Sequence, residues 1–222
     1  MKKSLLITPI LVLFLLTACT GNISSPIPTS DVNGVATIVA VTPSAIPATT
    51  SPTTTDPLYV NPTKVLLQTS VGNITLEMRS DKPITTANFE SLVRAGKYDG
   101  STFHRVIAGF MIQGGIISGS NPTIPDEIGS NNRNVAYTIA MAKTSQPNSA
   151  TSQFFINVAD NGNNPIDQAG TKFDSVYTVF GRVILGQSVV NAIANAPVTS
   201  SAYEANSTPI NPVTINKATI LP

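Results

Sequence analysis

The sequence predicts a mainly β domain, a closed β-barrel capped by two α-helices. Short runs rich in β-branched and aromatic residues recur from residue 64 to the C-terminus, divided by Gly, Pro and Asn clusters. Only two stretches carry the periodicity of a helix. Strands and helices therefore do not alternate, as a parallel α/β sheet would require.

The elements follow in order. Lys64 to Thr69 and Asn73 to Met78 are β-rich. In the second, Ile74, Leu76 and Met78 alternate with Thr75, Glu77 and Arg79, the period of a half-buried strand. Val71-Gly72 between them predicts a hairpin. Pro83 to Ala95 is helical, with Ala87, Phe89, Leu92 and Val93 able to share a face and Gly96 placed to end it. Further strands are expected around Phe103, Met111, Ile139, Phe155, Val179 and Ile215. A second helix is expected from Gln187 to Asn195, before Pro197.

At 222 residues the chain has room for one domain and appendages. Thirteen basic residues balance twelve acidic ones, so nothing in the charge favours nucleic acid. One histidine and one cysteine exclude a multi-ligand zinc or Cys-His site.

The cysteine is Cys19, and its surroundings are those of a secretory signal. Met1-Lys2-Lys3 is a short basic start, and Ser4 to Leu16 is apolar. That run is too short for the ~20 residues that span a bilayer. Leu16-Thr17-Ala18-Cys19 resembles the bacterial lipobox, which implies cleavage before Cys19 and lipid on its sulfur; two acyl chains suffice for stable anchoring. From Thr20 to Pro57, Ser, Thr and Pro supply 20 of 38 residues, too few apolar groups to offset ordering entropy. The expected organisation is a lipoprotein signal at 1–18, a flexible tether at 19–60 beginning with lipidated Cys19, and a folded domain at 61–222. The expected location is extracytoplasmic, anchored to a bacterial cell membrane.

The chemistry concentrates in Phe103-His104-Arg105-Val106-Ile107-Ala108-Gly109-Phe110-Met111-Ile112-Gln113-Gly114-Gly115 and in Ser152-Gln153-Phe154-Phe155-Ile156-Asn157. One arginine, two glutamines and several large apolar side chains surround a tight turn. With Ala87-Asn88-Phe89, Ile139-Ala140-Met141-Ala142 and Val179-Phe180-Gly181-Arg182-Val183, these segments resemble the cyclophilin family of peptidyl-prolyl cis-trans isomerases. The resemblance covers roughly Lys64 to Leu221 in family order.

The resemblance implies an eight-stranded antiparallel barrel closed by two helices, with the site on its outer face. It puts Arg105 where the family has its catalytic arginine, and Gln113 where a glutamine orients arginine and peptide. Phe110 and Met111 match the floor and wall of a proline pocket. Met141 and Ala142 fall beside the substrate backbone, Gln153 matches a further polar contact, and Phe155 the ring that packs on proline. Ile166 stands where a leucine closes the pocket, and Tyr177 where eukaryotic members have histidine. The chain departs from the family at Lys143, often asparagine, at Ile116 after the two glycines, and in having no tryptophan. Asn163 is the nearest counterpart.

These residues suit rotation about an X–Pro bond. The barrier of ~18–20 kcal/mol comes from breaking amide conjugation. In the twisted state the lone pair localises on the prolyl nitrogen, so a permanent cation beside it interacts more strongly than in the planar ground state. No acid, base, metal or cofactor is required. His104, the single histidine, therefore reads as structural. The implied partners are proline-containing segments of exported proteins, a monomer being the default. The competing reading is a non-catalytic proline-binding or chaperone module on the same fold.

Overall fold

The computed structural model describes residues 56–166, 169–200 and 206–222. The signal at 1–18, Cys19 and the tether as far as residue 55 lie outside the described residues. The described residues Asp56 to Val60, inside the stretch read as tether, already pack on the domain. Ser80 donates its backbone N–H to the Leu58 carbonyl (2.9 Å), and Tyr59 is buried beneath Arg182, whose guanidinium carbon lies 3.8 Å from the ring centroid.

The strands are β1 (Lys64–Thr69), β2 (Gly72–Met78), β3 (Arg105–Ile107), β4 (Met111–Gly114), β5 (Thr138–Met141), β6 (Phe154–Asn157), β7 (Val179–Leu185), β8 (Val198–Thr199), β9 (Thr208–Pro209) and β10 (Ile215–Leu221). Eight of them form one antiparallel sheet in the order β10-β1-β2-β7-β5-β6-β4-β3; β8 and β9 make a separate ribbon. The β1–β2 hairpin turns at Ser70-Val71, with Thr69 opposite Gly72.

The expected closure of the barrel does not occur. The sheet curls but stays open between β10 and β3. An isolated bridge, Thr102 to Thr214, and backbone hydrogen bonds such as Phe103 N to the Val213 carbonyl (2.9 Å) join the segment before β3 to the start of β10 without making a continuous ladder. The reason is local: β3 is three residues long, and its outer side is taken by Ser207, whose carbonyl accepts from Val106 N (2.8 Å). Ser207 thus occupies the edge of β3 on which a further strand would have to pair.

Helix α1 (Pro83–Arg94) opens on a proline at its first turn, where a missing N–H costs nothing. Its N-cap residue, Lys82, makes no side-chain capping bond. Instead Glu127 accepts from Ile84 N (3.2 Å) and Thr85 N (2.7 Å), a carboxylate at the positive end of the helix dipole. Thr85, Phe89 and Val93 form the buried stripe, with Leu92 beside it. Ala87, expected on that face, is exposed. Gly96, in the left-handed region (φ 65°), ends the helix. Helix α2 (Gln187–Ala194) buries Val190, Ile193 and Ala194.

The main core lies on the inner side of the curled sheet. Leu67, Ile74, Leu76, Phe103, Ile112, Phe154 and Phe180 pack there with Phe89 and Tyr98, all fully buried. Phe89 contacts Tyr98, Phe154 and Phe180 with ring centroids 5.1–5.5 Å apart. The Tyr98 hydroxyl is satisfied by the Ser152 carbonyl (2.8 Å). A second, smaller cluster lies on the outer face, and the site is built on it.

Candidate active site

Strand register places the site. Arg105 on β3 is opposite Gln113 on β4, Gln113 opposite Phe155 on β6, Phe155 opposite Ala140 on β5, and Ala140 opposite Val179 on β7. Side chains at paired positions share a face. One row across five strands therefore carries a cation, an amide, a ring and two small apolar groups. The β3–β4 turn adds Phe110 and Met111. Gly109 makes that turn possible at φ 72°, and Phe110 N closes it on the Ile107 carbonyl (3.0 Å).

The Arg105 guanidinium donates through Nη1 to Gln113 Oε1 (3.3 Å) and faces Met111 Sδ at 3.7 Å. Gln113 Nε2 in turn donates to Gln153 Oε1 (3.0 Å). The two glutamines form a relay that fixes the cation's direction from behind. Beside it is a cavity of about 510 Å³ lined by Arg105, Phe110, Met111, Gln113, Phe155 and Ile166, among others. Its floor is a cluster of four rings. Phe173 contacts Phe110 (5.4 Å), Phe155 (5.5 Å) and Tyr177 (4.4 Å), and Phe155 meets Tyr177 edge-on (5.4 Å). Phe173 and Tyr177 are tilted at 42°, and the other three contacts are edge-to-face, an arrangement that ring pairs prefer.

Burial pushes the Tyr177 phenol above its ordinary value, with the Arg105 charge acting against it. Tyr177 is thus a neutral wall at any physiological pH. Burial pushes His104 below its ordinary value; the Thr102 carbonyl opposes this and the Arg105 charge adds to it. His104 is half-buried and does not line the cavity.

Of the ten residues the sequence assigned to catalysis or substrate binding, Arg105, Gln113, Phe110, Met111, Ala142, Phe155, Ile166 and Tyr177 line this cavity. Gln153 lines an adjoining one of about 170 Å³ with Gln113, Ala142 and Lys143, and reaches the first through Gln113. Met141 does not join them. On β5, Ile139 and Met141 share the inner face while Ala140 and the following Ala142 take the outer one, so Met141 is 2% exposed within the main core.

Phe173, Lys143, Asn164 and Pro165 also line the cavity without having been singled out for it. Phe173 stands four residues before Tyr177, in a 3-10 turn (Phe173–Ser175), and that spacing was a usable sign that both rings share a side. Lys143 is held by Asp126 (2.6 Å).

The sequence pattern described as "Cyclophilin type peptidyl-prolyl cis-trans isomerase/CLD" matches residues 64–220. A peptidyl-prolyl cis-trans isomerase of Acinetobacter baylyi is 45% identical over 160 residues, 69% of this chain and 82% of that protein. One from Streptomyces antibioticus is 45% identical over 168 residues, 71% of this chain and 98% of the relative. Among solved structures, a cyclophilin-type isomerase of Cryptosporidium parvum superposes with a TM-score of 0.60 at 26% identity, covering 72% of this chain and 98% of its own. The same isomerase crystallised in the presence of the dipeptide Ala-Pro gives a TM-score of 0.58 at 27% identity, covering 72% and 99%.

Proposed function

The chain belongs to the cyclophilin-type peptidyl-prolyl cis-trans isomerases, and from that premise we propose that Arg105 drives the rotation and that the substrates are exported proteins. The observation behind the first part is the Arg105–Gln113–Gln153 relay at the edge of a ring-lined cavity. A proline ring seated on Phe155 and Phe110 against Met111 presents its nitrogen towards the guanidinium. The acyl side of the bond then turns while the ring stays fixed. As conjugation breaks, the pyramidal nitrogen gains a lone pair, and the Arg105 N–H donates to it. The bond to the planar ground state is weaker, so the cation lowers the barrier and not merely the ground-state energy. Apolar walls raise the interaction's strength by excluding water.

A protease-coupled isomerisation assay with an Ala-Pro peptide tests this. Arg105→Ala should lower kcat/KM by about 10²–10³, as loss of one preorganised donor does, with the melting temperature unchanged. Wild-type protein that folds and binds the peptide without accelerating rotation would instead make the domain a proline-binding or chaperone module.

The second part rests on Leu16-Thr17-Ala18-Cys19 and the tether after it. Cys19 carries the lipid, and the tether holds the isomerase clear of the headgroups among newly exported chains. Expressed in a bacterial host, the full chain should incorporate labelled fatty acid and partition with the detergent phase. Cys19→Ser should abolish both; incorporation that survives the substitution would remove the anchor from the account.

A further inference from the structure

Behind the ring-lined cavity the structure holds a set of buried asparagines that the mechanism leaves without a role. Asn132 (2% exposed), Asn134, Asn157 and Asn161 (1%) are side chains of a type that seldom lies in a core. Asn132 Nδ2 donates to the carbonyls of Asp174 (2.6 Å) and Tyr177 (2.8 Å), and its Oδ1 accepts from Val179 N (2.8 Å). It thereby uses its whole amide on the backbone that carries Tyr177 and follows Phe173. Asn161 Nδ2 donates to the Phe110 carbonyl (2.7 Å) and to Asn157 Oδ1 (2.8 Å), while its Oδ1 accepts from Asn164 Nδ2 (3.2 Å). It joins the turn bearing Phe110 to the loop bearing Asn164, on two sides of the same cavity. Asn134 and Asn157 connect the halves: Asn157 Nδ2 donates to Asn134 Oδ1 (3.2 Å), and Asn134 Nδ2 reaches the Tyr177 carbonyl (3.3 Å).

The segment leading into Asn132 and Asn134 is itself anchored at two points. Glu127 caps α1 and donates its own backbone N–H to the Thr178 hydroxyl oxygen (3.0 Å). Buried Arg79 donates to the Asn131 carbonyl (3.0 Å).

We infer that Asn132 and Asn161 are positioning residues of the isomerase site, the two ends of a buried amide frame that fixes the spacing between the Phe110 wall and the Phe173–Tyr177 wall. The inference deepens the isomerase reading and rests on it. Its physical basis is asymmetric cost. A buried amide with every group paired stiffens its surroundings, whereas one lost partner leaves carbonyls unsatisfied in a dry interior. Packing alone would let four rings repack around a vacancy. Hydrogen bonds to the backbone beneath them resist this, because each weakens steeply once its distance and angle leave a narrow range. Ring spacing determines how well a proline fits, and so acts on binding more than on rotation by the cation.

The test uses the full chain with Asn132→Ala and Asn161→Ala, beside Leu67→Ala on β1 as a core control outside the cavity. Melting temperature, kcat, KM and the Kd for an Ala-Pro peptide by NMR titration are measured below every variant's unfolding transition. Both asparagine variants should raise KM and Kd by about 5- to 10-fold with kcat within roughly 2-fold. Leu67→Ala should lose at least as much thermal stability with KM and Kd unchanged. Asparagine variants that lose stability and keep wild-type KM and Kd would overturn the inference. If an alanine variant does not fold, the aspartate variant at the same position, Asn132→Asp or Asn161→Asp, replaces it. Its carboxylate loses both donors, and protonation restores one, so its KM should fall as pH is lowered while the wild-type KM stays level; a level KM in the variant would equally overturn it. Because Kd needs no turnover, a wild-type protein that fails to isomerise would refute the isomerase reading without touching the frame.

Discussion

Phe154 and Phe155 are neighbours on β6, yet they belong to different parts of the molecule. Phe154 points inward to Phe89, Tyr98 and Phe103 and is fully buried in the main core. Phe155 points outward to Phe173 and Tyr177, in a cluster that leaves a cavity open beside it. The inner cluster fills its space and is finished. The outer one contains equally apolar rings but stops short, with half-buried Phe110 and Tyr177 at its edge. Residue type does not separate fold from function here; strand parity does.

Replacing each of the two rings is the strongest way to break that distinction. Phe154→Ala should cost about 3–5 kcal/mol of stability by opening a cavity in a filled core, read from denaturant unfolding. Phe155→Ala should cost less, since its site already borders open space, and should raise KM several-fold at a temperature where the protein is folded. Equal losses of stability with equal KM values would show that the two faces are not functionally distinct.

Tyr59 sharpens the comparison from a different side, being an outward ring with no place in the cavity. Its phenol is pushed up to about 12, chiefly by burial, and its face carries the Arg182 guanidinium. Tyr59→Leu keeps the apolar bulk and removes the cation–π contact, an expected loss of about 0.5–1 kcal/mol with kcat/KM unaltered. An effect on activity would mean that the segment entering the domain bears on the site.

The smallest effect concerns His104, between the two faces. Its folded pKa lies below its ordinary value, so protonation favours the unfolded chain. The stability it leaves intact is present above about pH 6.5 and declines as pH falls below that value. Melting curves from pH 8 to 5 should show this decline, and His104→Asn should flatten it. Activity should stay level from pH 6 to 9, because guanidinium groups do not titrate in that range and burial holds the Tyr177 phenol above its ordinary value.

Much of this was legible before any coordinates. Arg105, Gln113, Phe110, Met111 and Phe155 lie within two short segments whose strand period puts them on one face. Met141 shares its strand with the outer face, but the parity of β5 turns its side chain into the main core. Phe173 carries a weaker signal, because fifteen residues, Val158 to Lys172, separate it from β6, and only its spacing to Tyr177 hints at a shared side. Closure of the barrel was overstated for another reason. Hydrophobic alternation reports which residues face inward; whether two edge strands meet depends on their lengths and on what else occupies the edge. At β3 the occupant is Ser207, far away in sequence.

The central claim is that the outer rings bind and the cation turns the bond. Exchange NMR on an Ala-Pro peptide at saturating wild-type protein and Arg105→Ala measures both on one sample. The account predicts a Kd within a few-fold of wild type and a cis–trans exchange rate about 10²–10³ slower. An exchange rate that survives the loss of Arg105, or a Kd that collapses with it, would contradict that division of labour.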